Sequence, residues 1–346
     1  MTKKKQTYKR TAAMLLTACA WTAQAYAQAS APTGNVTLFG IVDLYAGKLQ
    51  YAGRTSTHVV NPGALSTSRW GMMGSEDLGG GLRANFSLIS LFRPDSGEAG
   101  RFNGDAAWSS RSTVGLSGSL GQVNMGRMNS PLFFSLVRFD PHELGGLSPT
   151  FLHTYPGGQP LAAPEAATDS TINNGIQYAT PNWGGFVGSL HVSAAEVPGR
   201  TKGRTGFNLT YAAGPVAIGI AGDSIDVPLG LGVTHQKGLM LAGSYDFTVV
   251  KVNAIHQRRT QEGVGNEYRT NTLGATIPLG AHKLIFSWAR TRLDATVAAD
   301  ATRSTYAVTY DHVLSKRTDV YVHAMVDRLT NTSSGTSLVA GMRHRF

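Results

Sequence analysis

The sequence is poor in cysteine and in charged residues. One of its 346 residues is cysteine, Cys19, and only 15% are Asp, Glu, Lys or Arg. A chain with one cysteine cannot be held together by internal disulfide bonds. The low charge and the 41 glycines argue against a coiled coil, and the 9% aromatic content argues against disorder. The chain is therefore expected to fold without covalent cross-links.

Long apolar runs are also missing. Beyond the N-terminal region, no run reaches the roughly 18 consecutive apolar residues that a membrane-spanning helix needs. This excludes a helical membrane protein. It leaves a soluble β or α/β protein, or a membrane barrel whose strands alternate instead of forming long apolar runs.

Enzyme motifs are absent as well. The sequence contains no G-x-S-x-G, G-x-x-x-x-G-K or H-E-x-x-H motif, and its ten histidines are scattered. His142 and Glu143 form a lone pair without a third partner. We therefore expect no catalytic site, no metal site and no cofactor.

The N-terminus has the pattern of a secretory signal peptide. Five Lys and Arg residues precede a short apolar stretch, and Ala25-Tyr26-Ala27 is a small-x-small cleavage site. We predict a signal peptide over residues 1–27, with cleavage after Ala29 as an alternative; a lipoprotein site at Cys19 fits less well. Removal of this segment lowers the net charge from +10 to about +5. The basic composition therefore does not indicate a nucleic-acid partner.

The rest of the chain repeats one unit, about ten residues of alternating apolar and polar side chains followed by a turn. In residues 82–88, Leu82, Ala84, Phe86 and Leu88 alternate with Arg83, Asn85 and Ser87. This period of two predicts β-strands. We count sixteen such runs, near 36–48, 65–75, 82–92, 108–117, 122–128, 172–180, 185–194, 204–213, 215–223, 236–246, 249–258, 267–277, 282–290, 303–313, 318–326 and 336–346.

The connections between these runs alternate between short turns and longer polar loops. That parity is typical of an outer-membrane barrel, which has tight turns on the periplasmic rim and loops outside. Closure is required because lipid offers no hydrogen-bond partners to an open sheet edge. We predict an all-β fold, a 16-stranded antiparallel transmembrane β-barrel over residues 28–346. Sixteen strands leave a water-filled lumen, and the long apolar connection 129–171 is expected to pack inside it.

Several blocks resemble one known family. Residues 35–43 (NVTLFGIVD), Ser68-Arg69-Trp70-Gly71, the block from Gly74 to Leu82 (GSEDLGGGL), residues 114–118 and 121–127, and the end Gly341 to Phe346 are similar to the general porins of Gram-negative bacteria, in the branch typical of β-proteobacteria. The similarity spans the whole chain after the signal. Met73 departs from it, because many relatives have a basic residue there. The long loop departs in both length and content.

The resemblance implies a homotrimer in the cell outer membrane, with a third loop folded into each lumen. Such a porin passes small hydrophilic solutes and ions and contacts outer-membrane lipid and lipopolysaccharide. It also implies that the terminal Phe346 is the recognition signal for the barrel assembly machinery. Trp70 and Trp288 are candidates for the aromatic girdle at the membrane surface.

Strand parity selects the candidate pore residues. Arg69, Arg83 and Arg111 should face water, since an arginine on the lipid face costs roughly 2–4 kcal/mol near the midplane. Arg127 joins them only if Gly126 ends or bulges its strand, because strict alternation turns it outward. On the long loop the opposing carboxylates are first Asp140 and Glu143, and then Glu165 and Asp169. Opposed charges would set a transverse field, and the net charge suggests a weak preference for anions.

Other interpretations remain open at this point. The charged residues could be ordinary solvated lumen side chains without a special role. A membrane-embedded protease or lipase would need a Ser, His and Asp constellation and is generally a narrower barrel. A surface adhesin would need longer loops. A substrate-specific channel would show a stack of aromatic side chains along the lumen, and the alternation of side chains along the strands predicts no such stack.

Overall fold

Strands make up most of the chain in the computed structural model, which describes residues 34–155, 170–196, 198, 203–226, 232–296 and 299–346. The predicted signal peptide 1–27, Glu165 and Asp169 lie outside these ranges. The strands are β1 (Asn35–Leu49), β2 (Thr57–Pro62), β3 (Arg69–Gly79), β4 (Leu82–Arg93), β5 (Glu98–Ala99), β6 (Arg111–Gly118), β7 (Gly121–Asn129), β8 (Thr171–Ala179), β9 (Phe186–Ser193), β10 (Arg204–Ala213), β11 (Val216–Asp226), β12 (His235–Asp246), β13 (Lys251–Glu262), β14 (Asn266–Leu279), β15 (His282–Asp294), β16 (Ala301–Val313), β17 (Thr318–Leu329) and β18 (Gly335–Arg345). The helices are α1 (Pro131–Phe139) and α2 (Pro149–Thr154).

Sixteen of these strands form a closed antiparallel barrel. Each pairs with its neighbours in chain order, and β1 closes the ring against β18, with Asp43 opposite Arg343. The short β2 and the longer β3 follow one another along the same edge of β1, so together they occupy one position in the ring. The two-residue β5 only extends the top of β4. The prediction of a 16-stranded antiparallel barrel is confirmed.

Side chains alternate between the two faces of the wall, as the sequence pattern predicts. On β17, Tyr321, His323 and Met325 are buried on the inner face, whereas Val322 between them is exposed on the outer face. Directly paired residues of neighbouring strands share a face, so the inner and outer sets continue around the ring. The wall is therefore apolar outside and mainly polar inside.

The structure differs from the sequence prediction at a few elements. The strand β2 lies within residues 49–64, which the sequence pattern indicates as a polar loop. The strand predicted at 65–75 lies at Arg69–Gly79, because residues 63–68 leave the wall and meet the long loop. That loop contains two helices that the sequence analysis does not predict.

In the part of the chain that the structure describes, no helix is long and apolar enough to cross a membrane.

Candidate pore constriction

The first element of the long loop is α1, an amphipathic helix with a well-defined start. The Ser130 hydroxyl accepts a hydrogen bond from the Phe133 amide at 3.1 Å, and Pro131 occupies the first helical turn, where its missing amide is not needed. Leu132, Leu136 and Phe139 fall on one face and are buried against Met240 and Ile255 of the inner wall. Apolar packing thus fixes α1 to β10 through β13.

Asp140 closes α1 and shapes the turn that follows it. Its carboxylate accepts hydrogen bonds from the Leu144 amide at 2.8 Å and the Ser148 hydroxyl at 2.8 Å, and also from the Thr150 hydroxyl. The side chain is 3% exposed. Burial raises the pKa of the Asp140 carboxyl, against the opposing effect of these hydrogen bonds. Asp140 therefore organises the loop and does not face the lumen.

Two histidines fasten the loop to the wall. His142 lies 2.9 Å from the Thr309 hydroxyl and 3.1 Å from that of Ser287. His153 of α2 lies 2.7 Å from the Thr291 hydroxyl and 2.8 Å from that of Thr305. Each imidazole therefore has a hydroxyl partner at both ring nitrogens.

Both imidazoles are held in the neutral form. Burial lowers the pKa of His142 well below its usual range, and the nearby His323 and Lys283 lower it further. Burial also lowers the pKa of His153 to about 3, with Arg303 adding to the effect. Protonation of either ring would place a charge in a buried site.

The tip of the loop reaches the break between β2 and β3. The Gly146 amide donates to the Gly63 carbonyl at 2.8 Å, and the Leu147 amide donates to the Ala64 carbonyl at 3.3 Å. Glu143, at the tip, is exposed and has a positive φ of 53°. On the way to the tip, Pro141 passes so close to Gly274 that a Cβ there would clash with its ring. The loop thus crosses the lumen along the inner face of β9 through β18.

Ion pairs fill the wall that this loop covers. Arg303 is 1% exposed and holds Asp327 through two hydrogen bonds of 2.9 and 3.0 Å, and it also donates to the Leu152 carbonyl of α2 at 2.9 Å. The other ion pairs on this wall are Arg204 with Asp223, Arg343 with Asp319 and Asp311, Lys283 with Asp311, and Arg345 with Asp319. The charges on this wall therefore largely cancel.

Arg69 and Arg111 lie on the opposite, less crowded wall. Both face inward, at similar heights on β3 and β6, with β4 between them. Arg69 donates to the Thr67 carbonyl at 3.3 Å and lies close enough to Glu143 for a Coulombic attraction. The Arg111 guanidinium lies 5.4 Å from the ring centre of Phe134 on α1. Neither arginine forms an ion pair with a carboxylate in the described ranges.

The other two candidate arginines lie elsewhere. Arg83 is exposed on the inner face beside the turn 79–81. It lies six residues along β4 from Ile89, the residue that pairs with Arg111, and this separation is about 20 Å. Arg127 pairs with Ser112 and so belongs to the outer face, as strict alternation indicates. A β-bulge lies between Gly126 and Met128 in the pairing of β7 with β8. The Arg127 guanidinium donates hydrogen bonds to the Ser109 carbonyl at 3.0 Å and to the Asn173 side chain.

Sequence reasoning missed Arg138. This residue is four positions after Phe134 on the exposed face of α1 and so projects from the loop toward the open lumen. A signal is present in the sequence, because Leu132, Leu136 and Phe139 repeat at helical spacing and leave Phe134 and Arg138 on the other face. It is easily overlooked, since Pro131 is equally consistent with an irregular loop.

Phe346 follows the last strand and continues its pairing. Its amide and carbonyl both bond to Gly40 of β1 at 3.0 Å, and its ring lies on the outer face, 47% exposed. The ring lies directly over Gly40, where a Cβ would overlap with it. The first strand thus leaves space for the last side chain.

Nothing in the described ranges groups three or more His, Cys, Asp and Glu side chains in a way that could hold a metal ion.

Comparison with known proteins supplies the family context. A family model described as Gram-negative porin matches residues 11–332. Outer membrane porin protein 32 of Delftia acidovorans is 33% identical over 304 residues, which are 83% of this chain and 82% of that protein. An outer membrane porin protein of Bordetella pertussis is 25% identical over 93% of this chain and 97% of its own length. The solved structure of an anion-selective porin from Comamonas acidovorans covers 90% of this chain and 100% of its own, with 28% identity and a TM-score of 0.75.

Proposed function

The chain belongs to the family of Gram-negative porins, and from this premise we propose that its channel passes anions in preference to cations. It is an outer-membrane general diffusion porin for small hydrophilic solutes and ions, and not an enzyme. The resemblance to porins of the β-proteobacterial type is confirmed by the relatives. Anion selectivity is stated for the Comamonas porin, and for this chain it is our inference.

The imbalance of free charge around the open lumen carries this proposal. Arg69 and Arg111 on the wall and Arg138 on α1 form no ion pair within the described ranges, and Glu143 is the exposed carboxylate of the loop tip that faces Arg69. Most other inward charges form ion pairs on the covered wall, and Arg259 there donates to the Thr154 carbonyl at 2.9 Å. A narrow passage lined by unpaired cations raises the local concentration of anions and repels cations.

This arrangement assigns different roles to the six candidate residues. Arg69, Arg111 and Glu143 act on the solute, whereas Asp140 maintains the loop conformation. Arg83 adds positive charge near the periplasmic exit, about 20 Å further down. Arg127 stabilises an outer loop and does not enter the proposed selectivity site.

The experiment is a measurement of reversal potential in planar bilayers under asymmetric salt. We expect the variant Arg69→Gln/Arg111→Gln to lower the ratio of anion to cation permeability by at least about twofold. Arg83→Gln alone should lower it less. The matched control Lys316→Gln/Arg317→Gln removes two cations from the turn between β16 and β17 and should leave the ratio unchanged.

Two results would contradict the proposal. If the reversal potential of Arg69→Gln/Arg111→Gln equals that of the parent protein, the two arginines do not select ions. If the parent protein shows no conductance at all, there is no ion flow for the arginines to select, and the proposed anion preference fails.

We further propose a homotrimer whose subunits meet at β6 through β9. These strands have only 8 or 9 residues, which at a tilt near 40° give about 20 Å of height, less than the roughly 25 Å apolar band of the membrane. Strands β12 through β16 have 12 to 14 residues and can face lipid. A short wall is better suited to the centre of a trimer than to lipid. Chemical cross-linking should give trimers, and Val114→Arg, on outward-facing β6, should reduce them to monomers.

We also propose two contacts with the surrounding outer membrane. Outer-membrane lipid, lipopolysaccharide included, would cover the outer face of the long strands. The barrel assembly machinery would read the terminal Phe346, whose ring is exposed on that face. Deletion of Phe346 should lower the amount of protein in the outer membrane, while the same variant refolded in detergent should conduct like the parent. Equal membrane levels of the two proteins would contradict the second contact.

A further inference from the structure

The outer wall carries an apolar groove of about 750 Å³ across β14 through β18. Two outward rows of residues paired across the strands line it. The upper row contains Leu273, Trp288, Tyr306 and Val326, and the lower row contains Ala275, Phe286, Val308, Ala324 and Leu338. The small Ala324 lies between Val308 and Leu338, so the floor is lowest there. We call this surface the outer groove.

A basic row lies directly above the outer groove, toward the long loops. Arg290, Ser304 and Arg328 pair in sequence across β15, β16 and β17 and share the outward face with the groove. The Arg328 guanidinium lies 5.9 Å from the ring centre of Tyr306, so it caps the groove edge. Both arginines are exposed, and neither forms an ion pair with a described carboxylate.

Further arginines strengthen the charge above this row. Arg269 and Arg292 face each other on β14 and β15, again on the outer face. Arg269 is neutralised by Glu267 at 2.6 Å and Asp294 at 3.2 Å, whereas Arg292 forms no ion pair within the described residues. The surface above the groove therefore has an excess of positive charge that the described side chains do not balance.

This row lies close to the upper edge of the apolar band and slightly below it. Arg290 is eight residues above His282, which begins β15 at the short-turn rim; this is about 26 Å along the strand and about 20 Å in height. The apolar band of an outer-membrane barrel is about 25 Å tall and is bordered by aromatic residues, here Trp288 stacked 6.5 Å from Tyr306. Arginines that project from a lipid-facing wall at this level require an anion, and the headgroup layer is the nearest source.

We propose that the outer groove binds a phosphorylated glycolipid of the outer leaflet, with one acyl chain along Ala324 and a phosphate between Arg290 and Arg328. One strand, β16, lies between the two arginines, so their Cα atoms are about 10 Å apart and both long side chains reach one headgroup. Ser304 between them offers a hydroxyl donor. This assignment rests on the proposed lipid contact of the long strands and gives it a ligand class and residues.

A second copy of the chain fits this surface less well. It would have to bury Arg290, Arg292 and Arg328, and burying unpaired charge is costly. The short strands β6 through β9 also offer an outer face without such a row.

The test measures retention of diphosphorylated lipid A by the detergent-solubilised protein, using native mass spectrometry. We expect retention to fall at least about fivefold in Arg290→Gln/Arg328→Gln, and also in Ala324→Phe, whose ring fills the groove. The control Lys316→Gln/Arg317→Gln removes two cations far from the groove, and Ile218→Phe adds a ring to the outer wall at β11. Both controls should retain lipid like the parent, and the same lipid without phosphates should be retained weakly by all.

Unchanged retention in Arg290→Gln/Arg328→Gln would overturn the proposal. The proposal would also be overturned if Ala324→Phe disrupted the oligomer but still retained lipid. The groove would then be an interface between copies of the chain. Conductance of each variant, measured in parallel, should equal that of the parent. Absence of conductance in the parent would count against the proposed channel function, whereas lipid retention reports only on the groove.

Discussion

The two inner walls of the barrel use arginine in opposite ways. On the wall of β10 through β18, arginines such as Arg303 are buried beneath the long loop and bound to carboxylates and backbone carbonyls. On the wall of β3 through β6, Arg69 and Arg111 remain partly exposed and without an ion pair in the described part of the chain. Inward orientation is thus shared by both sets. What separates the structural arginines from those that we propose to act on the solute is whether the loop covers them.

The largest effect should come from breaking an ion pair on the covered wall. Arg303→Ala leaves Asp327 buried without its bidentate partner and also frees the Leu152 carbonyl, so we expect a loss of about 3–5 kcal/mol in the free energy of unfolding. Guanidinium unfolding in detergent, followed by tryptophan fluorescence, measures it. The matched change Arg83→Ala, exposed on the open wall, should cost no more than about 0.5 kcal/mol. Equal losses in the two variants would remove the distinction between the walls.

An intermediate effect is expected from acid, through the loop anchor on the covered wall. The pKa of His153 is about 3 in the folded state and about 6.5 in the unfolded state. The contribution of the neutral ring to the free energy of unfolding is therefore fully present above pH 6.5. It is lost as the pH falls toward 3, because the unfolded state then binds a proton that the folded state does not. Between pH 7.5 and 4.5 we expect His153 to account for about 2–3 kcal/mol of lost stability.

Unfolding curves at the two pH values check the contribution of His153. His153→Gln should show a weaker pH dependence than the parent. His58→Gln, which removes an exposed histidine on β2, should behave like the parent. A parent and a His153→Gln variant with the same pH dependence would show that the buried imidazole is not protonated on unfolding in this range.

The smallest effect on stability should come from the open side of the lumen. Arg138→Gln removes an exposed charge from α1, so unfolding should change by less than about 0.5 kcal/mol. The reversal potential should nevertheless move toward cation permeation, by less than in Arg69→Gln/Arg111→Gln. A destabilised variant with unchanged selectivity would place Arg138 with the structural arginines.

The barrel could be predicted from the sequence because its signal is local. Alternation within runs such as 82–88 and the parity of long and short connections follow from lipid on one face and water on the other. The inward orientation of Arg69, Arg83 and Arg111 follows from the same rule.

The long loop could be predicted only in part, because its contacts are distant in sequence. Asp140 looks like a pore carboxylate until Ser148 and Thr150 are seen to bind it. Ser130 and Pro131 are as consistent with a loop as with a helix start, and only the apolar wall at Met240 and Ile255 favours the helix. Which arginines are covered depends on where this loop lies, and the alternation of side chains along a strand does not predict the position of the loop.

The seam between β1 and β18 has a consequence for how the cylinder is made. Its paired residues, such as Ile41 and Arg345, come from opposite ends of the polypeptide, so every hairpin can form before this last row of hydrogen bonds. Until then two unsatisfied strand edges persist, and contacts so distant in sequence form slowly. The open sheet is therefore the species that must be shielded from aggregation, and removal of the final strand should leave the chain in that state.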